Sequence, residues 1–217
     1  DVYKRQVAEY MNHLAAEAVE QYVKNWDKEG PVRILEFGAG TGGTSAAILE
    51  RIKDYDVEYM FTDLSTFFTD RAKENFCEYD FVEYGLFNID EKPQAQGYDP
   101  ASFDIIIGAN VLHDARMIKE TLKNFRYLLS KEGMLVALEV TTNKIYHKVS
   151  IGFIEGFSGY NDERLEKNVP LLSPREWCTA MSDCGFTYTN SYPKSDKAAE
   201  VFSYICLLYT SPSPRDR

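Results

Sequence analysis

Short apolar runs closed by turn residues alternate along this chain with stretches whose apolar side chains recur at helical spacing. Ile34, Leu35 and Phe37 form the first run, long enough for a buried strand and too short for a helix. It stops at Gly38, Gly40, Gly42 and Gly43, and Thr44 to Ile52 then carries Ala and Leu at helical spacing. Val57 to Asp63 reads as a second strand ending in an acid, followed by a helix over Ser65 to Phe76. Phe81 to Asp90 is a third strand leaving into a loop that continues through Gln94 to Asp99. Phe103 to His113 is a buried strand, with Ile105, Ile106 and Ile107, running into a polar edge. The spacing predicts a helix over Lys119 to Leu129, with Gly133 as its C-terminal turn, and a fifth strand over Met134 to Glu139.

The flanks follow other patterns. Val7 to Trp26 predicts an amphipathic helix with Tyr10, Leu14, Ala18, Tyr22 and Val23 on one stripe, and packing is the safer reading of it than a lid. From Thr141 to Leu172 the pattern blurs. Ile145 to Phe157 has helical spacing, interrupted by Gly152 and Gly156 among aromatics and followed by Gly159, and such a segment would form a lid or acceptor wall. Ser173, Pro174 and Glu176 carry a capping-box signature for a helix ending at Cys184 and Gly185. Phe186 to Tyr192 and Val201 to Ile205 then predict an antiparallel hairpin.

Strands alternating with helices specify an α/β fold, a doubly wound, mostly parallel sheet with right-handed crossovers and a C-terminal antiparallel hairpin. Ligands of such sheets lie beyond the carboxyl ends of the strands. Glu36, Asp63, Asn88, Asn110 to His113 and Glu139 all fall at those ends.

Composition narrows the function classes. The formal charge of −10 argues against a nucleic-acid backbone as substrate surface. No apolar run reaches membrane-span length and no signal peptide opens the chain. The four cysteines have neither a C-x-x-C pair nor zinc spacing, so no metal site is expected, and a reduced, cytoplasmic setting is. Residues 1–6 and 206–217 look like translated sequencing-adapter read-through at the edges of a metagenomic fragment. The expected domain is then 7–205, with an N-terminal helix at 7–28, a core at 31–205 and the lid or acceptor segment at 141–172.

The glycine turn is the first candidate for chemistry, because glycines let a ligand approach main-chain N–H groups at a helix start. Dinucleotide sites space these glycines G-x-G-x-x-G. Here they run G-x-G-x-G-G, and Glu36 stands two residues before the first. A carboxylate there would repel a pyrophosphate and suits a ligand bearing an ammonium and a sulfonium. That disfavours a nicotinamide-dependent oxidoreductase, the principal competing class. Asp63 lies where an acid on the neighbouring strand accepts hydrogen bonds from both ribose hydroxyls. His113 and Glu139 end strands that should be neighbours, so the carboxylate can orient the imidazole as a base. On spacing alone, a histidine capping the next helix beside a hydrated Glu139 fits equally well. His13 and His147 have no comparable context.

The segments ILEFGAGTGGTSAAI, YMFTDLSTFFTDRAKENF, FNIDEKPQAQGYD, FDIIIGANVLHDA, LLSKEGMLVALE and GFIEGF…DERL…PLLSPREW follow in this order over roughly residues 31 to 192. Together they resemble the methyltransferase domains embedded in polyketide synthases and hybrid peptide–polyketide synthases, which have a Rossmann-like class I fold and use S-adenosylmethionine. The resemblance implies that Glu36, Gly38, Ala39, Gly40 and Thr41 hold the methionine part of the cofactor. It implies that Asp63 takes the ribose, and that Leu64, Asn88 and Ile89 border the adenine. Asn110, on the polar edge after the fourth strand, is counted with this cofactor set. Many relatives have Asp where Asn88 stands, and an amide oxygen keeps the contact in weaker form. His113 and Glu139 match the family's His–Glu base pair. Phe157-Ser158-Gly159 stands where relatives carry paired tryptophans, a thinner acceptor wall. The implied substrate is an acyl chain on a carrier protein, with neighbouring synthase domains as partners. The expected reaction is methylation of the α-carbon of a β-ketoacyl thioester, with O-methylation of a β-hydroxyl as the nearest alternative. The intact Glu36, Asp63, His113 and Glu139 argue against a degenerate scaffold domain.

Overall fold

The computed structural model describes residues 2–142, 159–195 and 204–210. Its single sheet has the strand order β3-β2-β1-β4-β5-β7-β6. Strands β1 (Val32–Phe37), β2 (Val57–Asp63), β3 (Val82–Leu86), β4 (Phe103–Ala109) and β5 (Leu129–Val140) are mutually parallel. β7 (Tyr204–Thr210) runs antiparallel between β5 and β6 (Tyr188–Tyr192). The helices are α1 (Val2–Lys24), α2 (Gly43–Ile52), α3 (Thr66–Asn75), α4 (Ile118–Leu128), the single turn α5 (Arg164–Lys167) and α6 (Pro174–Asp183). Short 3-10 turns occupy Pro93–Gln96 and Leu112–Asp114.

Both faces of the sheet are covered, which is why β1 and β4 are apolar almost without alternation. On one face Ile34, Ile105, Ile107 and Val136 pack with α1 and α2. On the other, Leu35, Phe37, Ile106 and Leu135 pack with α4 and α6. Gly108 of β4 lies directly opposite the Phe37 ring, and a Cβ there would run into it. Phe37 is packed in turn against Phe125 of α4, ring centres 4.5 Å apart. α6 begins as its sequence predicts: the Ser173 hydroxyl accepts from the Glu176 amide, and the Glu176 carboxylate accepts from the Ser173 amide.

Four expectations are revised. The stripe of α1 that packs is Val7, Met11, Ala15, Val19 and Val23, with Ala16 beside it. Tyr10, placed on the packing stripe by its apolar ring, is 47% exposed. Leu14 and Tyr22 of the expected stripe are half-buried and pack at the edge of the same core, and Val23 is buried within it. Gly133 is not the C-terminal turn of α4, because the chain enters β5 directly at Leu129. The left-handed residue there is Glu132 (φ 67°), and Gly133 packs tightly against Leu129 and the Asp104 carbonyl. β6 begins at Tyr188 rather than Phe186.

The last revision concerns the ends. α1 already runs from Val2, and β7 extends to Thr210 beyond the expected limit at Ile205. Cys206 and Leu207 alternate into the two opposite cores, paired with Leu138 and Ala137. The expected helical stretch Ile145–Phe157 and the start of the second hairpin strand at Val201 lie outside the described residues. No helix among the described residues is long and apolar enough to cross a membrane.

Candidate active site

The site is built where β1, β2, β4 and β5 end. After β1 the chain turns at Gly38 with φ 57°, and a Cβ at this position would lie 2.5 Å from a Val111 methyl. Glycine is therefore needed twice here, for the left-handed backbone and for the close approach of the strand β4 exit. The turn is fixed to β2: Ala39 N donates to Thr62 O (3.0 Å) and Gly40 N to Asp63 Oδ2 (2.9 Å). Asp63 Oδ1 accepts from Ser65 N (3.0 Å). Asp63 is thus buried between two turns, with an amide on each oxygen. Thr41 is exposed at the tip of the turn.

Glu36 is placed differently from the simplest expectation. It is 1% exposed, and its Oε2 accepts from Ser45 Oγ (2.6 Å) and Tyr59 OH (2.8 Å). Burial pushes its carboxyl up to about 7, against the two hydroxyl bonds, and the nearby Asp63 adds to the rise. The carboxylate lies behind the turn, fastening β1 to α2 and β2.

A cavity of about 780 Å³ opens in front of the turn. Gly38, Asp63, Leu64, Asn88 and Ile89 line it, so the structure brings together five of the residues picked out for a cofactor. The Asn88 amide is held in a local turn: Oδ1 accepts from Asp90 N (3.0 Å) and Nδ2 donates to Glu91 (3.1 Å). Gln96 clamps the Asn88 main chain on both sides, at 2.7 and 2.9 Å. Asp114 and Arg116, which carry no motif, also line the cavity. Their signal was only their place, one and three residues beyond His113.

Just past β4 stands Asn110, whose φ is 57° and whose amide donates to Leu138 O of β5 (2.7 Å). This left-handed residue is exposed, and it bends the chain so that the following turn passes over the end of β5. There Glu139, 0% exposed, takes three hydrogen bonds. Its Oε1 accepts from the amides of Val111 (3.2 Å) and Leu112 (2.9 Å), and its Oε2 lies 2.7 Å from His113 Nδ1. His113 is 5% exposed, and its Nε2 lies 3.4 Å from Asp114 Oδ1. Burial pulls the imidazole's pKa down. Attraction and hydrogen bonding to Glu139, with Asp114 assisting, outweigh that and raise it above 6.5. A hydrated Glu139 beside a capping histidine is therefore not what the fold builds.

Known proteins give a consistent comparison. Residues 35–135 match the family model described as a methyltransferase domain. The polyketide synthase PksR of Bacillus subtilis is 36% identical over 198 residues, 87% of this chain and 8% of that protein. The chain thus spans less than a tenth of this relative's length. Among solved structures, the CurJ carbon methyltransferase superposes with a TM-score of 0.89 at 34% identity, covering 95% of this chain and 55% of that one. The trans-methyltransferase CalH, solved in complex with SAH, gives a TM-score of 0.77 at 28% identity over 94% of this chain and 58% of that one.

Proposed function

We propose, for a chain that belongs to the S-adenosylmethionine-dependent methyltransferase domains of polyketide synthases, that it methylates the α-carbon of a β-ketoacyl chain borne on a carrier protein. The observation that carries this reading is the buried His113–Glu139 pair at 2.7 Å, one turn from a cavity lined by Gly38 and Asp63. The name of the CurJ carbon methyltransferase favours carbon over oxygen as the acceptor atom.

The residues present suit the cofactor. Each Asp63 oxygen accepts one amide hydrogen and keeps a lone pair, so the carboxylate can also accept from a vicinal diol. Leu64 and Ile89 offer apolar surface for a purine, with Asn88 at its edge. Gly38, Ala39, Gly40 and Thr41 present main chain to the amino-acid end, and Glu36 supports that turn from behind. Asn110 contributes through its backbone bend. When bound, S-adenosylmethionine supplies an electrophilic methyl group on a sulfonium.

The pair does the proton work. With Glu139 ionised and accepting from Nδ1–H, His113 Nε2 carries the lone pair. Nε2 takes the acidic α-proton, and the C–H electron pair passes into the enolate of the β-keto thioester. The deprotonated α-carbon would be the nucleophile for the methyl group that the bound cofactor would supply, and the chain's part is to align the two and to keep the abstracted proton on His113. His113 ends protonated beside Glu139. The decisive experiment incubates the domain with β-ketoacyl and β-hydroxyacyl carrier-protein substrates and locates the added methyl group by fragment mass spectrometry. Mass on the α-carbon of the keto substrate alone is the expected result. Mass on the hydroxyl oxygen would replace it with O-methylation. For the cofactor, S-adenosylhomocysteine should raise the melting temperature and NAD should not.

A further inference from the structure

The short segment before α5 makes an unusual number of bonds to the loop that carries His113. Arg164 is 0% exposed. Its Nη1 donates to the His113 carbonyl (2.6 Å) and its Nη2 to the Ala115 carbonyl. The other side of the guanidinium grips Asp162, with Nε on Oδ1 at 2.7 Å and Nη2 on Oδ2 at 3.0 Å. Asp162 Oδ2 also accepts from Ile118 N (3.0 Å), and Asn161 N donates to Arg116 O (2.7 Å). The Tyr160 ring covers the guanidinium at 4.8 Å. One segment therefore holds the loop at residues 113, 115, 116 and 118.

We infer that Arg164 is a positioning residue for His113: it fixes the backbone of the base while Glu139 fixes the ring. A fully buried guanidinium is costly unless its donors are satisfied, and replacing such a cluster by apolar groups often leaves stability unharmed. Stability alone thus gives little reason for a cation here. The loop gives a better one. Leu112–Asp114 is a short 3-10 turn between β4 and α4, and the guanidinium binds the carbonyls of His113 within it and of Ala115 just after it. A planar fork with five donors can bind two carbonyls and a carboxylate at once, which a lysine cannot.

The cation also belongs to the electrostatic surroundings of the base. Glu139 and Asp114 face His113 with negative charge, Arg164 opposes them, Asp162 offsets part of Arg164, and Asp90 acts on Asp114 from across the cavity. Losing Arg164 should therefore displace His113 titration upward, and losing the Asp162 charge should displace it downward.

The turnover part of this inference rests on His113 being the base, whereas its titration does not. The test takes Arg164→Lys and Arg164→Met in the whole chain and makes three measurements. These are S-adenosylhomocysteine affinity by calorimetry, methyl transfer at saturating acceptor, and the ring-proton titration of His113, one of three histidines, by NMR. A misplacement of about 1 Å in a base can cost about 10²-fold. Both variants should lose about ten- to a hundredfold in turnover. Affinity should stay within about twofold, and His113 should titrate higher in the Met variant than in the Lys variant. Unmoved turnover and titration would overturn the inference, as would equal losses of affinity and turnover. If neither variant folds, Asp162→Asn decides: a lowered His113 titration supports the inference and an unmoved one overturns it. Should His113→Gln retain turnover, the base reading fails, and the titration still tests Arg164.

Discussion

The two halves of the strand-end edge hold their carboxylates differently. On the glycine-turn side, Glu36 and Asp63 are bonded by neutral donors: two hydroxyls for Glu36 and two backbone amides for Asp63. On the other side, Glu139 adds His113 to two backbone amides, and Asp162 is gripped by Arg164. Neutral donors fix a carboxylate in place and leave its charge uncompensated, which suits a cationic ligand arriving later. Charged donors balance the site in advance, which suits a base that must itself gain and lose a proton. The glycine-turn side is also local, made from β1, β2 and the turns after them. The base side is assembled across as many as 51 residues of sequence separation, the span from His113 to Arg164.

The sharpest way to break this comparison is to remove the base. His113→Gln keeps a donor for Glu139, and methyl transfer should fall by about 10²–10⁴ while S-adenosylhomocysteine affinity holds. Near-normal turnover at saturating acceptor would make His113 a structural part of the edge. In the wild-type chain the pH–rate limb should lie above 6.5, because the pair raises the histidine and only its neutral form accepts a proton. The linked effect on stability has the opposite sign. A raised histidine contributes stability fully below its unfolded value, and that contribution is lost as pH rises through the folded value.

Asp63→Asn tests the other half. A hydrogen bond to a charged group is worth about 1.5–3 kcal/mol, so S-adenosylhomocysteine should bind about ten- to a hundredfold more weakly. Turnover at saturating cofactor should change far less. A loss confined to turnover would mean that the two halves are not separate in function.

Gly38→Ala probes where the halves touch. Its Cβ would meet Val111 in a left-handed backbone, and a stability loss of about 1–3 kcal/mol is expected by chemical denaturation. Adding Val111→Ala should recover the part due to crowding and leave the part due to backbone strain. Full recovery would show that the conformation itself carries no strain.

The last test concerns Glu36. Its folded value near 7, above the usual 4.5, means that its contribution is present below about 4.5 and is lost as pH rises toward 7. The slope from one such group is at most about 1.4 kcal/mol per pH unit. Glu36→Gln should remove that slope from urea-unfolding data between pH 4.5 and 7. An unchanged slope would place the buried titration on another group.

The sequence by itself determined the order of elements, because each is written locally. The Ile105–Ile107 run, the glycines after Phe37 and the Ser173–Glu176 capping box specify strand, turn and helix start within a few residues. It also determined that the candidate residues share one end of the sheet, and that β4, which His113 follows, and β5, which carries Glu139, are parallel neighbours, since chain order and crossover handedness leave few arrangements. Tertiary structure alone decided the rest. Which α1 residues are buried depended on where α2, β5 and β7 meet the helix, so Met11 and Ala15 are buried and Tyr10 is not. The direction of the Glu36 carboxylate depended on hydroxyls 9 and 23 residues away, at Ser45 and Tyr59. The importance of Arg164 could not be read from DERL, because a surface arginine and a buried clamp have the same sequence. The difference lies in the His113 and Ala115 carbonyls, 51 and 49 residues away in sequence, and only folding brings them within hydrogen-bond reach of the guanidinium.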